Sequence, residues 1–169
     1  MAQNYFILRL NHRIERDKRL TTHVALTGRA FGAKGFIYTG EPDKKLERSI
    51  TSVHGSWGDE TPFEVVYWDD WVTKCHLMKR AGAMLIHLTM YGVPIQEADQ
   101  WIASESKKRP VFFVVGGAKV PPEVYRLCDL DVSVTGQPHS EVAALAVTLD
   151  RCYQTAIETE FPNASRKVK

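Results

Sequence analysis

The sequence lacks a long hydrophobic run, a secretory signal and a cysteine framework, and each absence excludes a class of protein. Of its 169 residues, 44% are hydrophobic and 25% are charged, which is typical of a globular domain able to bury a core. No apolar stretch is long enough to cross a bilayer, and the first residues do not resemble a secretory signal. The three cysteines are few, odd in number and widely spaced, so neither a disulfide framework nor a zinc site is expected. We therefore expect a cytoplasmic protein with no membrane partner and no metal.

Two signatures of nucleotide-dependent enzymes are also missing. No G-x-G-x-x-G motif enters a helix, and no Gly-Lys-Ser/Thr follows the glycine pair Gly116-Gly117, so neither a dinucleotide fingerprint nor a phosphate loop is present. The net charge of +2 is too small to demand a nucleic-acid partner. Basic residues nevertheless cluster between Arg9 and Arg19. Such a cluster is more often a solvated surface than a binding site, but this one directly follows a predicted strand, where α/β enzymes place working loops.

Apolar runs and helical patterns alternate along the whole chain. Strands are predicted at 5–10, 35–40, 63–68, 83–88, 111–115 and 132–135, with helices at 21–33, 44–53, 69–82, 96–106, after Pro121-Pro122, and at 140–157. This alternation predicts a single α/β domain with a largely parallel sheet covered by helices on both faces. We expect segment 11–19 to be a charged loop, residues 1–160 to form the domain, and 161–169 to be a basic tail.

Three segments follow predicted strands and have the composition of ligand loops. They are Leu88–Gly92, Gly116–Val120, and Val134–Glu141, the last of which opens the final helix. Ligands of parallel sheets bind beyond the carboxyl ends of strands, glycine lets a ligand lie against bare backbone, and free N–H groups at a helix start can hold polar groups. Taken singly, each segment is more often an ordinary turn or helix cap. Sequence patterns alone do not show that the three meet.

Together with the N-terminal segment, these loops resemble the archaeal tRNA (cytidine-56) 2'-O-methyltransferase family, in the trefoil-knotted SPOUT superfamily. The resemblance covers about residues 5–155, which is nearly the whole chain. The matching segments are Leu10–Arg13, Arg16–Leu26, Arg29–Ala33, Leu88–Gly92, Val114–Gly117, Lys119–Pro121 and Gln137–Ala146. The chain departs from the family at Gly28, Ala118 and Gly136, where Ala, Glu and Asn are more usual.

The resemblance implies an enzyme that transfers a methyl group from S-adenosyl-L-methionine to the ribose 2'-hydroxyl of cytidine 56 in the tRNA T-loop. It also implies a homodimer, and a deep trefoil knot formed by threading the C-terminal chain through a loop. The cofactor contacts carried over from the family are Leu88, Gly116, Gly117, Ala118, Lys119, Val120, Val134, Thr135, Gly136, Gln137, Pro138, His139, Ser140 and Glu141.

The catalytic candidates lie in the N-terminal motif, where the resemblance places an arginine. Arginine is a poor base at neutral pH, so its expected role is to fix a phosphate and the ribose while phosphate or water takes the proton. We favour Arg16 and Arg19 for this contact, with Arg29 as a structural or catalytic partner. His23 is either a general base or a helix histidine that makes one hydrogen bond.

Two other functions remain open at this point. The basic cluster alone is compatible with a non-catalytic RNA-binding module. The alternating pattern alone is compatible with an unrelated α/β nucleotide-dependent enzyme, although the missing fingerprint argues against it.

Overall fold

The computed structural model describes residues 4–58, 63–117, 119–154, 161 and 164–167, apart from the side chain of Lys18. Strands and helices alternate along the described chain. Their bounds are β1 (Tyr5–His12), α1 (Ile14–Ala30), β2 (Gly35–Gly40), α2 (Lys44–Trp57), β3 (Glu64–Tyr67), α3 (Trp71–Arg80), β4 (Met84–Pro94), α4 (Ile95–Glu105), β5 (Val111–Val115), α5 (Pro122–Leu127), β6 (Leu130–Ser133) and α6 (Glu141–Tyr153).

The strands form one parallel sheet in the order β3-β2-β1-β5-β4-β6. Strand β5 lies between β1 and β4, and all five of its residues are buried, as the unbroken apolar run 111–115 predicts. Because the strands are parallel, their carboxyl ends meet at a single edge of the sheet. We call this the carboxyl edge.

Helices cover both faces of the sheet, as predicted. On one face the core contains Val24 of α1, Ile50 of α2, Ile102 of α4 and Leu145 of α6. On the other face it contains Cys75 of α3, and Val124 and Leu127 of α5. The predicted α/β class with a covered, parallel sheet is therefore confirmed.

The predicted charged loop at 11–19 is wrong, because α1 begins at Ile14 rather than at Thr21. Asp17 turns inward and accepts hydrogen bonds from the backbone N and Nε of Arg13, both at 3.1 Å. Thr21, the first residue of the predicted helix, lies inside α1 and is fully buried, with its hydroxyl 2.8 Å from Nδ1 of His12. The many charged residues of this segment hid the amphipathic pattern of a helix whose acidic residue Asp17 is buried.

Strand β4 is longer than predicted and contains a bulge. Both Leu88 and Val93 pair with Val132 of β6, so the segment between them loops out of the sheet. A side chain on Gly92 would overlap the backbone of Asp131 and Val132, because the two chain segments lie in direct contact there. The threading that would make this crossing a knot stays a prediction.

The C-terminal segment packs on α1 and α2 where it is described. The guanidinium of Arg29 lies 5.0 Å from the ring centroid of Phe161, and the backbone N of Arg166 donates to the carbonyl of Ser56 at 2.9 Å. The predicted continuation of α6 to residue 157 falls largely outside the described residues. The boundary at residue 160 stays a prediction. No helix in the described part of the chain is long and apolar enough to span a membrane.

Candidate active site

A cavity of about 860 Å³ opens at the carboxyl edge of the sheet. Ligand pockets of proteins are usually roughly 300–1,000 Å³, so this one has room for a nucleoside-sized molecule. Its walls come from α1, the ends of β4 and β5, α5 and the start of α6. The lining residues are Leu20, His87, Leu88, Thr89, Met90, Tyr91, Val115, Gly116, Gly117, Lys119, Val120, Tyr125, Pro138, His139, Ser140, Glu141 and Ala144.

The structure brings together the three segments that sequence patterns left apart. The candidate cofactor residues in the cavity wall are Leu88, Gly116, Gly117, Lys119, Val120, Pro138, His139, Ser140 and Glu141. The candidates Val134–Gln137 lie between β6 and this wall and do not line the cavity. Ala118 is outside the described residues. The contacts of all these residues with a cofactor stay predictions.

The glycine pair after β5 leaves bare backbone in the wall of the cavity. A side chain on Gly116 would overlap Val120, whereas one on Gly117 would lie 3.8 Å from Oε1 of Glu141. At the opposite wall, Ser140 caps α6 by accepting a hydrogen bond from the N of Val142 at 3.2 Å. The predicted cap is therefore present, and it places the carboxylate of Glu141 opposite the open glycine backbone.

A buried ion cluster ties this wall to α1. Arg9, only 1% exposed, places Nε 3.3 Å from Oε2 of Glu141 and Nη2 3.8 Å from Oδ2 of Asp17. Burial raises the pKa of Glu141 above its ordinary value, although the charge of Arg9 opposes the rise. Burial alone would also raise the pKa of Asp17, but hydrogen bonds from Arg13 and the charge of Arg9 hold that pKa below its ordinary value. One guanidinium thus joins the cavity wall to the first turn of α1.

Sequence reasoning missed the role of Arg9. It was grouped with the exposed cations because it is followed by Arg13 and Arg16. The signal that should have separated it is its position inside the apolar run Tyr5–Leu10, where a charged side chain must be buried against a partner.

The catalytic candidates occupy two distant parts of α1. Arg16, Arg19 and His23 are exposed, and Leu20 lines the cavity. Residues three or four apart share one side of a helix, so Arg16 and His23 lie on the same stripe as Leu20. Arg19 is turned about 100° from Leu20.

Arg29 is separated from this stripe. It lies thirteen residues beyond Arg16, about 20 Å along the helix at 1.5 Å per residue, at the opposite edge of the sheet. Its guanidinium is buried against Phe161, and burial lowers the pKa of Arg29. The structure therefore does not bring Arg29 to the cavity.

A second residue missed from the sequence is His87, at the far end of the cavity. Its Nδ1 lies 2.9 Å from Oδ1 of Asp131, and its ring meets that of Tyr125 edge-on with centroids 4.8 Å apart. The hydroxyl of Tyr125 lies 3.3 Å from Oγ1 of Thr89. Burial lowers the pKa of His87, and Asp131 opposes this change. As with Arg9, the available signal was a polar residue inside an apolar strand, here 83–88.

The described residues contain no group of three or more His, Cys, Asp or Glu side chains arranged to hold a metal ion.

Comparison with known proteins identifies the family. The sequence model of the family described as tRNA ribose 2'-O-methyltransferase, aTrm56, matches residues 57–169. A tRNA (cytidine(56)-2'-O)-methyltransferase of Archaeoglobus fulgidus is 47% identical over 96% of this chain and 91% of its own length. The enzyme of the same description from Thermococcus kodakarensis is 48% identical over 99% of this chain and 93% of its own. The chain belongs to the aTrm56 family. The resemblance inferred from the loop motifs is confirmed.

Solved structures resembling this aTrm56 chain support its fold. The A. aeolicus TrmH/SpoU tRNA modifying enzyme superposes with a TM-score of 0.65 at 18% identity, covering 92% of this chain and 77% of that one. The SpoU methyltransferase AviRb from Streptomyces viridochromogenes, solved with AdoMet, superposes with a TM-score of 0.63 at 15% identity, covering 94% of this chain and 60% of that one. At these identities the likeness shows the SPOUT-type α/β fold.

Proposed function

We propose that this chain transfers a methyl group from S-adenosyl-L-methionine to the ribose 2'-hydroxyl of cytidine 56 in the tRNA T-loop. The observation that carries the proposal is the meeting of the three loop segments in one cavity beside the basic stripe of α1. The relatives in the aTrm56 family bear the name of this reaction. Neither an RNA-binding module without catalysis nor an unrelated nucleotide enzyme accounts for both features.

The cavity fits the methyl donor in size and in chemistry. The predicted contacts that line the cavity would hold it, with Gly116 and Gly117 offering backbone that the donor can approach closely. These residues are Leu88, Gly116, Gly117, Lys119, Val120, Pro138, His139, Ser140 and Glu141. When bound, S-adenosyl-L-methionine supplies an electrophilic methyl group on a positively charged sulfur. The carboxylate of Glu141 gives the wall a negative group that complements that charge, and Arg9 holds this carboxylate in place.

The stripe of α1 would receive the RNA. Arg16 lies one turn from Leu20 of the cavity wall, and Arg16 and Arg19 are exposed cations suited to phosphate and ribose contact. Holding the 2'-oxygen in line with the methyl group can supply as much as about 7–11 kcal/mol of barrier reduction. The proton would pass to phosphate, to water or to His23 on the same stripe. We assign Arg29 a structural role because it is buried under Phe161 at the other end of α1.

Binding and rate measurements on arginine variants test these assignments. Arg16→Ala and Arg19→Ala should weaken tRNA binding and should each reduce the salt slope of binding by about 1. Arg80→Ala is the matched control, since Arg80 is also exposed and lies at the end of α3 on the opposite face. Arg29→Ala should lower stability and leave the tRNA salt slope unchanged. Equal binding by Arg16→Ala and Arg80→Ala would contradict the placement of the RNA.

His23 has its own test. If His23 takes the proton, His23→Gln slows single-turnover methylation without weakening tRNA binding. An unchanged rate would assign the proton to phosphate or water.

We further propose that the enzyme is a homodimer that acts in the cytoplasm. The helices α4 and α6 pack together and each exposes one large apolar side chain, Trp101 at 46% and Val147 at 42%, and exposed apolar surface can mark an interface. Sedimentation of the full chain tests the dimer, and Val147→Glu should dissociate it. The cytoplasmic setting is supported by the tRNA substrate and by the free thiols of Cys75, Cys128 and Cys152.

A further inference from the structure

His87, which is not one of the predicted cofactor residues, gives the cavity a further hydrogen-bond acceptor. Its ring is 98% buried and forms part of the cavity wall. A carboxylate only accepts hydrogen bonds, so the contact of Nδ1 with Oδ1 of Asp131 at 2.9 Å requires the proton on Nδ1. Because burial lowers the pKa of His87, the ring is neutral near pH 7. Its Nε2 then carries a lone pair.

This lone pair lacks a donor within the described part of the protein. The contacts of His87 there are Asp131, through Nδ1, and the ring of Tyr125. Because the ring is part of the cavity wall, a ligand in the cavity can supply the missing donor.

The position of His87 decides which ligand that is. Side chains alternate between the two faces along a strand, and Leu85, two residues before His87, packs on the face covered by α3 and α5. His87 and Tyr125 therefore form the end of the cavity on that face. Leu20 and the stripe of α1 lie on the other face. The ligand at the His87 end is thus the methyl donor and not the target nucleotide.

The chemistry of this end matches a purine base. The ring of Tyr125, which is 40% exposed, offers flat apolar surface, and Nε2 of His87 offers one acceptor. We propose that Nε2 of His87 accepts a hydrogen bond from the 6-amino group of the adenine of S-adenosyl-L-methionine, with Asp131 holding the ring in place. His87 is then a specificity-determining residue for the donor. This inference rests on the proposed placement of the donor in the cavity.

The test compares two ligands that differ at the 6-position. S-adenosylhomocysteine carries the amino group, whereas S-inosylhomocysteine carries an oxygen that cannot donate to Nε2. Calorimetry on the full chain should show that S-adenosylhomocysteine binds at least about tenfold more tightly, since a site built for a donor rejects the analogue that lacks it. In His87→Phe, which keeps a flat ring without the acceptor, the ratio should fall to about 1. General damage to the fold would weaken both ligands and leave the ratio unchanged.

A second variant and a third ligand sharpen the outcome. Tyr125→Phe keeps the ring and loses only the hydroxyl near Thr89, so it should keep the wild-type ratio. The ligand 5'-methylthioadenosine lacks the amino-acid part, and His87→Phe should weaken it by the same factor as S-adenosylhomocysteine.

Three results would overturn the inference. The first is a wild-type ratio near 1, and the second is a wild-type ratio kept in His87→Phe. The third is that His87→Phe weakens binding of S-adenosylhomocysteine but not of 5'-methylthioadenosine, which would place the contact on the methionine ammonium. Failure of the wild-type chain to bind any of these ligands would overturn the proposed function, and this inference with it.

Discussion

Replacing Arg9 tests the ion cluster that joins the cavity wall to α1. Arg9→Met keeps a long, flexible side chain in the same space and removes the charge. Glu141 and Asp17 then remain partly buried, with side chains 15% and 7% exposed, and lose their shared cation.

The structure sets the size of the effect. Removing one partner of a buried ion pair usually costs about 3–5 kcal/mol, because the other charge is left unpaired. We expect the low end, about 3 kcal/mol, because Glu141 borders an open cavity and Asp17 keeps Arg13. At roughly 2–4 °C per kcal/mol for a chain of this size, the midpoint of thermal unfolding should fall by about 6–12 °C. Arg126→Met is the matched control, since its side chain is 72% exposed and that of its partner Glu123 is 45% exposed, and surface pairs contribute only about 0–1 kcal/mol.

The loss of unfolding free energy in Arg9→Met should depend on pH in a defined direction. Burial raises the pKa of Glu141, and loss of Arg9 raises it further. A carboxyl whose folded pKa exceeds its unfolded pKa is stabilised in its protonated form, so stability is lost as pH rises through the folded pKa. The free energy of unfolding of Arg9→Met, measured by urea denaturation, should therefore fall further below wild type at pH 8 than at pH 5.

Two results would refute this reasoning. One is an unfolding free energy for Arg9→Met within about 1 kcal/mol of wild type, equal to the surface control. The other is a deficit of the same size at pH 5 and pH 8, which would mean that Glu141 does not carry the effect.

Two further substitutions, each with a matched control, test the ends of β1 and β4. Asp43 caps α2 through the N of Lys45 and Leu46 and also lies 3.3 Å from Nε2 of His12, so Asp43→Ala should cost about 2 kcal/mol in urea denaturation. Asp70 caps α3 through Thr73 alone and is exposed, so Asp70→Ala should cost clearly less than Asp43→Ala; equal costs would argue against the His12 contact. Gly92→Ala would press a methyl group into the backbone of β6 and should cost about 1–3 kcal/mol while weakening S-adenosylhomocysteine binding in calorimetry. Gly136→Ala meets nothing within 4 Å and should stay within about 0.5 kcal/mol of wild type; matching losses would show that the β4 bulge is not tightly packed.

The class of fold could be predicted because its signal is local. The apolar run 111–115 forms β5 at the predicted bounds, and the alternation of runs and helices predicted the parallel sheet. The bulge in β4 could not be predicted, because it depends on pairing of Leu88 and Val93 with a strand some forty residues further along the chain.

The site was predictable only in pieces. Each strand-end segment was recognisable, but their meeting depends on the strand order β5-β4-β6, which periodicity does not reveal. Arg9 and Glu141 are separated by 132 positions, and His87 and Asp131 by 44, so no local pattern marks either pair. In both cases the usable signal is a single polar residue within an apolar run. Such a residue must have a buried partner, but the sequence does not show which residue that is.

The most direct test of the account is to map the methyl group on the RNA. The full chain is incubated with isotopically labelled S-adenosyl-L-methionine and a tRNA transcript, and the nucleotides are analysed by mass spectrometry. The account predicts a single 2'-O-methylcytidine at position 56, which disappears when that nucleotide is replaced by 2'-deoxycytidine. A methyl group on another nucleotide or on a base, or no transfer at all, would contradict it.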